Sequence, residues 1–374
     1  MQTQTYNEKK KIERNSSIEL LKIFALFLIV ISHSMPVYGD KSGIGYIDVA
    51  IATTNGTNFL LSFLQSLGQI GNVIFIICSA YFLLDSNRTK KEKIINIIVD
   101  SFIISMIFLG ISLVLGVNIP IKEMLKQFLP ITYQNNWFIG CYLLLYAVHP
   151  LLNIIINDLQ KRQLFRFNLT LLFLYCIISF VLKNKFYYNE LIGFIMLYFF
   201  VAYVKLYMPK FQKNTKANII MIVLALLAHV LILAITNILG LKFDIFANKM
   251  TYWNGINNIT FICIGIGLLN ICLNKKINNR FINYCSSLSL LFYLIHDNAI
   301  FRTYIKPDFY RNVFEYGHIL LWILIEIVVL FIGAMLLSTL YKETIQKLTS
   351  KFSKKIGELF KKYYVKIEER LLEK

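Results

Sequence analysis

Two residues suited to acid–base chemistry lie in the first apolar run of the chain. Lys22 and His33 are separated by ten residues in the segment from Glu19 to His33. An ionisable residue inside a membrane helix is costly and is usually functional. Eleven residues of an α-helix return to within ~20° of the starting direction and rise ~16 Å, so both side chains share one face. The spacing predicts a reactive stripe, with a cation near one end and an imidazole deeper in.

Histidine suits such a stripe because its unperturbed pKa of ~6.5 lets it take and return a proton near neutral pH. His33 would deprotonate a hydroxyl that attacks a thioester, or would accept the acyl group itself. A structural hydrogen bond between helices is the alternative. His296 ends a later apolar run and is followed by Asp297 and Asn298, which place an orienting carboxylate close by. The same residues would also serve as a helix cap or face water.

For each of the other intramembrane polar residues, a structural role is an alternative to a functional one. Lys22 follows Glu19 by three residues, so an intrahelical ion pair accounts for both, although Lys22 would also suit an anionic ligand. Glu326 has no partner nearby in the sequence, so we expect it either to face the bundle interior, where Lys22, Lys205 or a histidine would pair with it, or to be protonated. His149, His229 and Asp100 are expected to be structural or to mark a polar helix face.

Composition identifies the elements that must position these residues. The chain of 374 residues is 57% hydrophobic and 16% charged, with a mean hydropathy of +0.59, values typical of an integral membrane protein. Ten apolar segments have about the length of a membrane-spanning helix. They cover residues 18–36, 58–84, 94–117, 136–157, 167–182, 191–208, 218–240, 254–273, 282–300 and 317–341. The fold class is therefore predicted to be an all-α polytopic bundle of about ten transmembrane helices.

The net charge of +18 is distributed as expected for a membrane protein, and this argues against a nucleic-acid partner. With the N-terminus in the cytoplasm, the inner connections and termini carry 27 of the 39 Lys and Arg residues, as the positive-inside rule requires. Both termini are thus predicted to be cytoplasmic, and the first run is an uncleaved helix rather than a signal peptide. The six cysteines lie within predicted helices without metal spacing, so neither disulfides nor a metal site are expected.

The chain is predicted to comprise a membrane domain over residues 1–341 and a basic tail over 342–374. The tail repeats apolar residues at intervals of three and four, with lysines between them. This pattern is typical of an amphipathic helix on an anionic leaflet. A solvated basic helix is the alternative. No nucleotide-binding loop, zinc-protease motif or nucleophile elbow occurs in the sequence.

Four segments, taken together and in order, resemble the acyltransferase-3 family of integral-membrane acyltransferases, which modify cell-surface glycans. The family pattern is an acidic residue, then a basic residue, and a His after ten further residues; Glu19, Lys22 and His33 match it. Arg is the commoner basic residue, and Lys22 keeps the charge but lacks the bidentate guanidinium group. The second segment ends in Phe-Ile-Ile-Cys-Ser-Ala-Tyr-Phe-Leu, residues 75–83, followed by a basic loop. The fourth begins Asn-Trp-Phe at 136–138 and continues to Pro150 and Asn153, and the ninth contains Tyr-Leu-Ile-His at 293–296.

The resemblance implies an O-acyltransferase of the cell membrane. It implies acetyl-CoA as a cytosolic acyl donor, no metal, and a hydroxyl of a cell-surface glycan or lipid-linked saccharide as acceptor. Some relatives carry an extracytoplasmic transfer domain, so a separate transferase is a possible partner here. The expected catalytic residues are His33, Lys22, Glu19 and His296, the donor-binding residues are Arg88, Lys90 and Lys91, and the substrate-binding residues are Trp137, Tyr293, Asp297 and Asn298.

A transporter is the principal rival. An exporter or flippase of a polysaccharide or its lipid-linked unit would also need buried charges and many helices. Such proteins often contain repeated halves and helices interrupted by Gly or Pro. Neither feature is evident here, since the prolines other than Pro150 lie at segment ends or in loops. A membrane scaffold or receptor is disfavoured because it would give the buried charges no purpose.

Overall fold

The computed structural model of the protein describes residues 15–35, 55–182, 187–243, 253–306 and 318–372. Within these ranges the chain is all-helical, with 83% helix and no strand. The predicted all-α class is confirmed. The N-terminal basic residues up to Arg14, Pro36 and the start of the tenth predicted segment lie outside the described ranges.

Within the described ranges, eight helices are long and apolar enough to cross a membrane. They are α1 (Ser16–His33), α2 (Asn55–Leu83), α3 (Lys91–Val114), α5 (Trp137–Asp158), α6 (Lys161–Leu182), α7 (Glu190–Tyr207), α9 (Thr215–Lys242) and α13 (Ile319–Glu343). The remaining helices are α4 (Ile121–Lys126), α8 (Pro209–Lys213), α10 (Ile259–Leu273), α11 (Arg280–Ser287), α12 (Ser289–His296) and α14 (Ile345–Leu372). Residues Leu172–Ile177 within α6 and Phe301–Ile305 after α12 form π-helical turns.

Two of the ten predicted segments differ from continuous spanning helices. The eighth forms α10, which has only 15 residues. The ninth is divided at Leu288 into α11 and α12. Serine hydroxyls at this break donate to backbone carbonyls three residues earlier, from Ser287 to Tyr284 and from Ser289 to Ser286, both at 2.6 Å. Such bonds compete with the regular helical ladder, so a hydropathy pattern alone overestimates the length of this helix.

Close packing of α1 against α2 forms the centre of the bundle. The two helices are antiparallel, and two α2 glycines allow the approach. A Cβ added at Gly68 would lie 2.5 Å from Cβ of Ser32, and one at Gly71 would lie 2.5 Å from the carbonyl oxygen of Ala25. Small residues at helix interfaces permit such contact within membranes. The α1 face that carries Ala25 and Ser32 is therefore held firmly on α2.

Gly71→Ala is expected to lower the free energy of unfolding by about 1–3 kcal/mol, the usual cost of overpacking, because α1 and α2 must separate. Gly110→Ala on α3 is the matched control, since a Cβ there meets nothing within 4 Å. Denaturant unfolding in lipid–detergent micelles measures both values. Equal stability of the two variants would show that the α1–α2 contact is not as close as described.

The bundle has two ends, which we name after the stripe on α1. The Lys22 end holds the start of α1, the end of α2 and the start of α3. At this end the Ser16 hydroxyl lies 2.9 Å from Oδ1 of Asn283, and the Tyr284 hydroxyl donates to Glu343 at 2.9 Å. The end of α13 thus lies on the same side as the start of α1. Which end faces the cytoplasm stays a prediction.

The predicted C-terminal tail is helical as α14, and its first turns pack on α3. The Asp100 carboxylate accepts hydrogen bonds from the Tyr341 hydroxyl at 2.9 Å and from Gln346 Nε2 at 2.7 Å. Lys351 and Lys354 of α14 are exposed. A buried carboxylate needs such donors, which explains why this part of the tail joins the bundle. The membrane-surface role of the basic face and the boundary at residue 341 stay predictions.

Candidate active site

Two imidazoles meet at the His33 end of the bundle. His33 is the last residue of α1 and His296 is the last residue of α12. Their rings stack with centroids 5.1 Å apart and an interplanar angle of 22°. Both residues are more than nine-tenths buried. The structure therefore brings together the two histidines that the sequence singled out.

Asp297 supplies a carboxylate to this pair. Its Oδ1 lies 3.4 Å from Nδ1 of His33 and 2.8 Å from Nη1 of Arg302. The Asp297 side chain is only 2% exposed, so its negative charge depends on these cationic and polar neighbours. A carboxylate facing Nδ1 favours the tautomer with the proton on that nitrogen, which leaves Nε2 of His33 as the basic atom.

The tautomer of His296 follows from its backbone contact. Nδ1 of His296 lies 2.9 Å from the carbonyl oxygen of Phe292. A carbonyl oxygen can only accept, so the proton resides on Nδ1 and Nε2 carries the lone pair. Among the described residues, this buried Nε2 has no hydrogen-bond partner. An unmatched basic nitrogen in a buried site is available to a substrate proton.

A second buried ion pair supports the end of α1, and sequence reasoning missed one of its members. Nζ of Lys306 lies 3.1 Å from Oε1 of Glu326 and donates to the carbonyl oxygen of His33. Arg302 lies within the π-helical turn Phe301–Ile305, and Lys306 directly follows this turn. Both residues lie beyond the predicted end of the ninth segment. Glu326 thus pairs with a residue outside its own helix, but this partner, Lys306, is not among the candidates that the sequence offered. The lack of a local partner for Glu326 was the available signal.

An aromatic series connects this cluster to α5. The Tyr293 ring lies edge-on to His296 with centroids 5.6 Å apart, and it packs on Phe138 at 5.2 Å. Phe138 in turn contacts Trp137 at 5.7 Å. Tyr293 therefore touches the imidazole pair directly, whereas Trp137 is two rings away. Trp137 instead lines a cavity of about 860 Å³ together with Tyr188 and Glu190.

The remaining members of the predicted catalytic and substrate-binding sets have local partners. Nζ of Lys22 lies 2.7 Å from Glu19, so the intrahelical ion pair is present. Oδ1 of Asn298 accepts the backbone N–H of Ile300 at 3.0 Å, which is a capping contact. Lys22 is a helix length away from His33, so Lys22 and Glu19 do not form one cluster with the imidazoles.

The predicted donor-binding loop lies at the Lys22 end. Arg88, Lys90 and Lys91 are exposed there. Lys93, which was not predicted, is partly buried, with Nζ 2.6 Å from the Tyr142 hydroxyl and 4.4 Å from the ring centre of Tyr146. Lys90 and Lys93 line a pocket of about 340 Å³ that continues along α12 to Leu294. Two lysines beside a pocket suit an anionic ligand, and Glu92 and Asp100 line the same pocket.

Two other buried histidines each have a partner for one ring nitrogen, and the second nitrogen of each is buried without a partner among the described residues. Nε2 of His229 lies 2.8 Å from the Ser66 hydroxyl, and Nδ1 of His149 donates to the carbonyl oxygen of Tyr146 at 2.7 Å. Within the described ranges, no group of three or more His, Cys, Asp or Glu side chains is arranged to hold a metal ion.

Comparison with known proteins identifies the family of the chain. The acyltransferase-3 family model, described as an acyltransferase domain, matches residues 15–342, which include the helices α1 to α12 and all but the last residue of α13. No curated protein and no solved structure matches the chain. The matched range contains the paired histidines and the basic loop, and it covers most of the protein. The chain therefore belongs to the acyltransferase-3 family of membrane acyltransferases.

Proposed function

We propose that the protein is an O-acyltransferase of the cell membrane, which moves an acyl group from acyl-CoA to a hydroxyl of a cell-surface or lipid-linked polysaccharide. Acetyl-CoA is the expected donor. The observation that carries this proposal is the stacked pair of His33 and His296 beside Asp297. Two imidazoles and an orienting carboxylate provide the proton transfers that acyl transfer to a hydroxyl requires.

The proposed step uses His33 as a general base. Nε2 of His33 takes the proton of the acceptor hydroxyl as its oxygen attacks the thioester carbonyl carbon. The tetrahedral intermediate collapses, the carbon–sulfur bond breaks, and the departing CoA thiolate receives the proton from the imidazolium. Asp297 keeps the His33 ring in the required tautomer and stabilises its transient positive charge. Transient attachment of the acyl group to the imidazole is the alternative within the same site.

Donor and acceptor are proposed to approach from opposite ends of the bundle. Lys90 and Lys93 line a pocket at the Lys22 end, where they would bind CoA phosphates. The cavity beside Trp137 carries Glu190 and Asn189 among mainly apolar side chains. A saccharide on a lipid carrier presents the same combination of polar headgroup and apolar chain. A separate extracytoplasmic transferase is a possible partner that would pass the acyl group further.

The decisive experiment incubates purified protein in lipid nanodiscs with radiolabelled acetyl-CoA and a lipid-linked glycan fraction. The expected result is label in the glycan and release of free CoA in equal amounts. A parallel assay in sealed vesicles follows movement of the glycan without a donor. Glycan transport with no acyl transfer from any of several acyl-CoA donors would overturn the proposal in favour of the exporter.

Replacing the two pocket lysines by alanine is expected to weaken binding of the acyl donor. Lys90→Ala/Lys93→Ala should raise the KM for acetyl-CoA by about tenfold or more, because each charge-assisted contact contributes about 1.5–3 kcal/mol before solvent screening. The matched control is Lys351→Ala/Lys354→Ala, which removes two exposed lysines of α14. Steady-state kinetics at fixed acceptor concentration provide the measurement. An equal change of KM in the two double variants would show that the effect comes from the net charge of the protein and not from the pocket.

A further inference from the structure

A row of amide side chains follows one face of α2. Gln65, Gln69 and Asn72 are spaced by four and three residues, so they lie above one another within the candidate span Phe59–Leu83. Polar side chains at membrane depth are costly unless they find partners or line a path for a ligand. These amides are not ionisable, and they are not among the site residues predicted from the sequence.

The row begins at the level of His33 and descends toward Lys22. The Ser32 hydroxyl donates to the carbonyl oxygen of Gln65 at 2.6 Å, which sets Gln65 beside the end of α1. Further along, Gly71 lies against Ala25, so Asn72 is at the depth of the middle of α1. From Gln65 to Asn72 the row rises ~10 Å along α2.

Helical geometry also sets the direction in which the row faces. On α1, the residues that contact α2 are Ala25 and Ser32, and the Lys22 and His33 face lies about 80° to one side of that contact. On α2, the contact residue Gly68 is about 60° from Gln65. Because the helices are antiparallel, these two rotations point to the same side of the α1–α2 pair. The amide row and the Lys22–His33 stripe therefore border the same space.

Two oxygens of the row are unmatched. Asn72 Nδ2 donates to Oε1 of Gln69 at 3.3 Å, which joins the two side chains. Among the described residues, neither Oδ1 of Asn72 nor Oε1 of Gln65 has a hydrogen-bond partner, although both atoms are buried. Asn72 as a whole is only 5% exposed. An unmatched buried acceptor is unfavourable, so a ligand that donates to it gains affinity.

Another buried asparagine of the bundle shows what full pairing looks like. Asn153 Nδ2 donates to the carbonyl oxygens of Leu83 and Ser86, each at 3.0 Å. Its Oδ1 accepts from the Tyr198 hydroxyl at 2.6 Å. The amide of Asn153 thus holds three helices and a loop together, as a structural amide should. In the row on α2, the oxygens of Gln65 and Asn72 lack such partners among the described residues.

We infer that Gln65, Gln69 and Asn72 form a binding subsite for the pantetheine arm of the acyl donor. This inference rests on the proposed function, and it assigns the amide-bearing stretch of the donor to these residues. The arm carries two successive amides between the CoA phosphates and the sulfur. With the thioester at His33 and the phosphates toward the Lys22 end, both amide N–H groups pass along the row and donate to its unmatched oxygens.

The test compares two donors in the purified protein in nanodiscs. One is acetyl-CoA, and the other is S-acetyl-2-mercaptoethanol, an acetyl thioester without amides. Asn72→Leu is expected to lower kcat/KM for acetyl-CoA by about tenfold, equivalent to ~1.4 kcal/mol, and to leave kcat/KM for the amide-free thioester unchanged. Asn237→Leu is the matched control, because the Asn237 amide donates at 2.9 Å to Leu233 within its own helix.

Calorimetric titration with CoA alone separates this inference from the proposed function, since CoA binding requires no chemistry. Wild type and Asn237→Leu should bind CoA equally, and Gln69→Leu and Asn72→Leu about tenfold more weakly. Equal CoA binding by all four proteins would overturn the subsite and leave acyl transfer intact. An equal loss with both donors would show that Asn72 only supports the fold. If the wild type neither transfers acyl groups nor binds CoA, both proposals fail.

Discussion

His33→Ala is expected to lower acyl transfer by about 10²–10⁴-fold, the usual contribution of a general base, without unfolding the protein. His33 is the last residue of α1, and its ring stacks on the ring of His296. The truncation therefore removes the basic nitrogen and leaves the α1–α2 contact in place. The measurement is the initial rate of glycan labelling from radiolabelled acetyl-CoA, with thermal unfolding recorded on the same sample.

His229→Ala is the matched control for this prediction. It also removes a buried imidazole, one that lies 2.8 Å from the Ser66 hydroxyl and packs on the rings of Phe63 and Phe261. We expect His229→Ala to lower stability but to retain most of the activity of the folded fraction. Wild-type rates in His33→Ala would refute the assignment of the base. Equal losses in both variants would attribute the effect to packing.

Asp297→Asn tests the orienting carboxylate by a change that preserves shape. Asp297 Oδ1 lies close to both His33 Nδ1 and Arg302 Nη1, and the amide would remove the negative charge from both contacts. We expect a decrease in kcat that exceeds any change in KM, because the carboxylate supports the imidazolium formed during the reaction. A decrease confined to KM would instead make Asp297 a substrate-binding residue.

The second large effect concerns the buried pair of Lys306 and Glu326. Glu326→Leu is expected to destabilise the protein by about 3–5 kcal/mol, because it leaves the Lys306 charge buried without its carboxylate. The two side chains are 11% and 7% exposed, with Nζ and Oε1 3.1 Å apart. Unfolding of the variant in nanodiscs, followed by tryptophan fluorescence against denaturant, gives the free energy.

Lys306→Met/Glu326→Leu separates stability from function at the same position. Replacing both charges by apolar residues of similar size should recover most of the lost stability. Acyl transfer should remain low, because Lys306 also donates to the carbonyl oxygen of His33 and thereby holds the end of α1. Full recovery of activity in the double variant would show that the pair has no positioning role.

The pair of Glu123 and Lys126 provides the control for desolvation. Its nitrogen and oxygen are 2.6 Å apart, closer than in the buried pair, but the side chains are 32% and 28% exposed. Glu123→Leu is therefore expected to change stability by less than ~1 kcal/mol. A loss as large as that of Glu326→Leu would contradict the role of burial.

Local sequence properties were sufficient for the helical class and for part of the site. Hydropathy and length predicted the eight candidate spans, since burying a helix in a membrane depends on its own residues. The interval between Lys22 and His33 predicted that both side chains lie on one face of the helix, because helical periodicity depends only on spacing along the sequence. Four short motifs in order indicated the family, which the match over residues 15–342 confirmed.

Pairing between helices required the tertiary structure. Glu326 needed a cation by the physics of the membrane, but its partnership with Lys306 depends on how α13 and the π-helical turn are rotated and set in depth. Lys205, an equally plausible partner by sequence, lies instead 2.7 Å from Asp85. Rotation and depth are collective results of packing many helices, so no local pattern encodes them.

By itself, the sequence determined that this is a helical membrane protein of the acyltransferase-3 family with a basic and an imidazole-bearing stripe on its first helix. Only the tertiary structure decided that His33 stacks on His296 beside Asp297, and that Gln65 of α2 lies beside the end of α1. The physical reason is that the cost of a buried polar group is a property of the residue. The group that compensates for this cost belongs to whichever helix the fold brings within hydrogen-bonding distance.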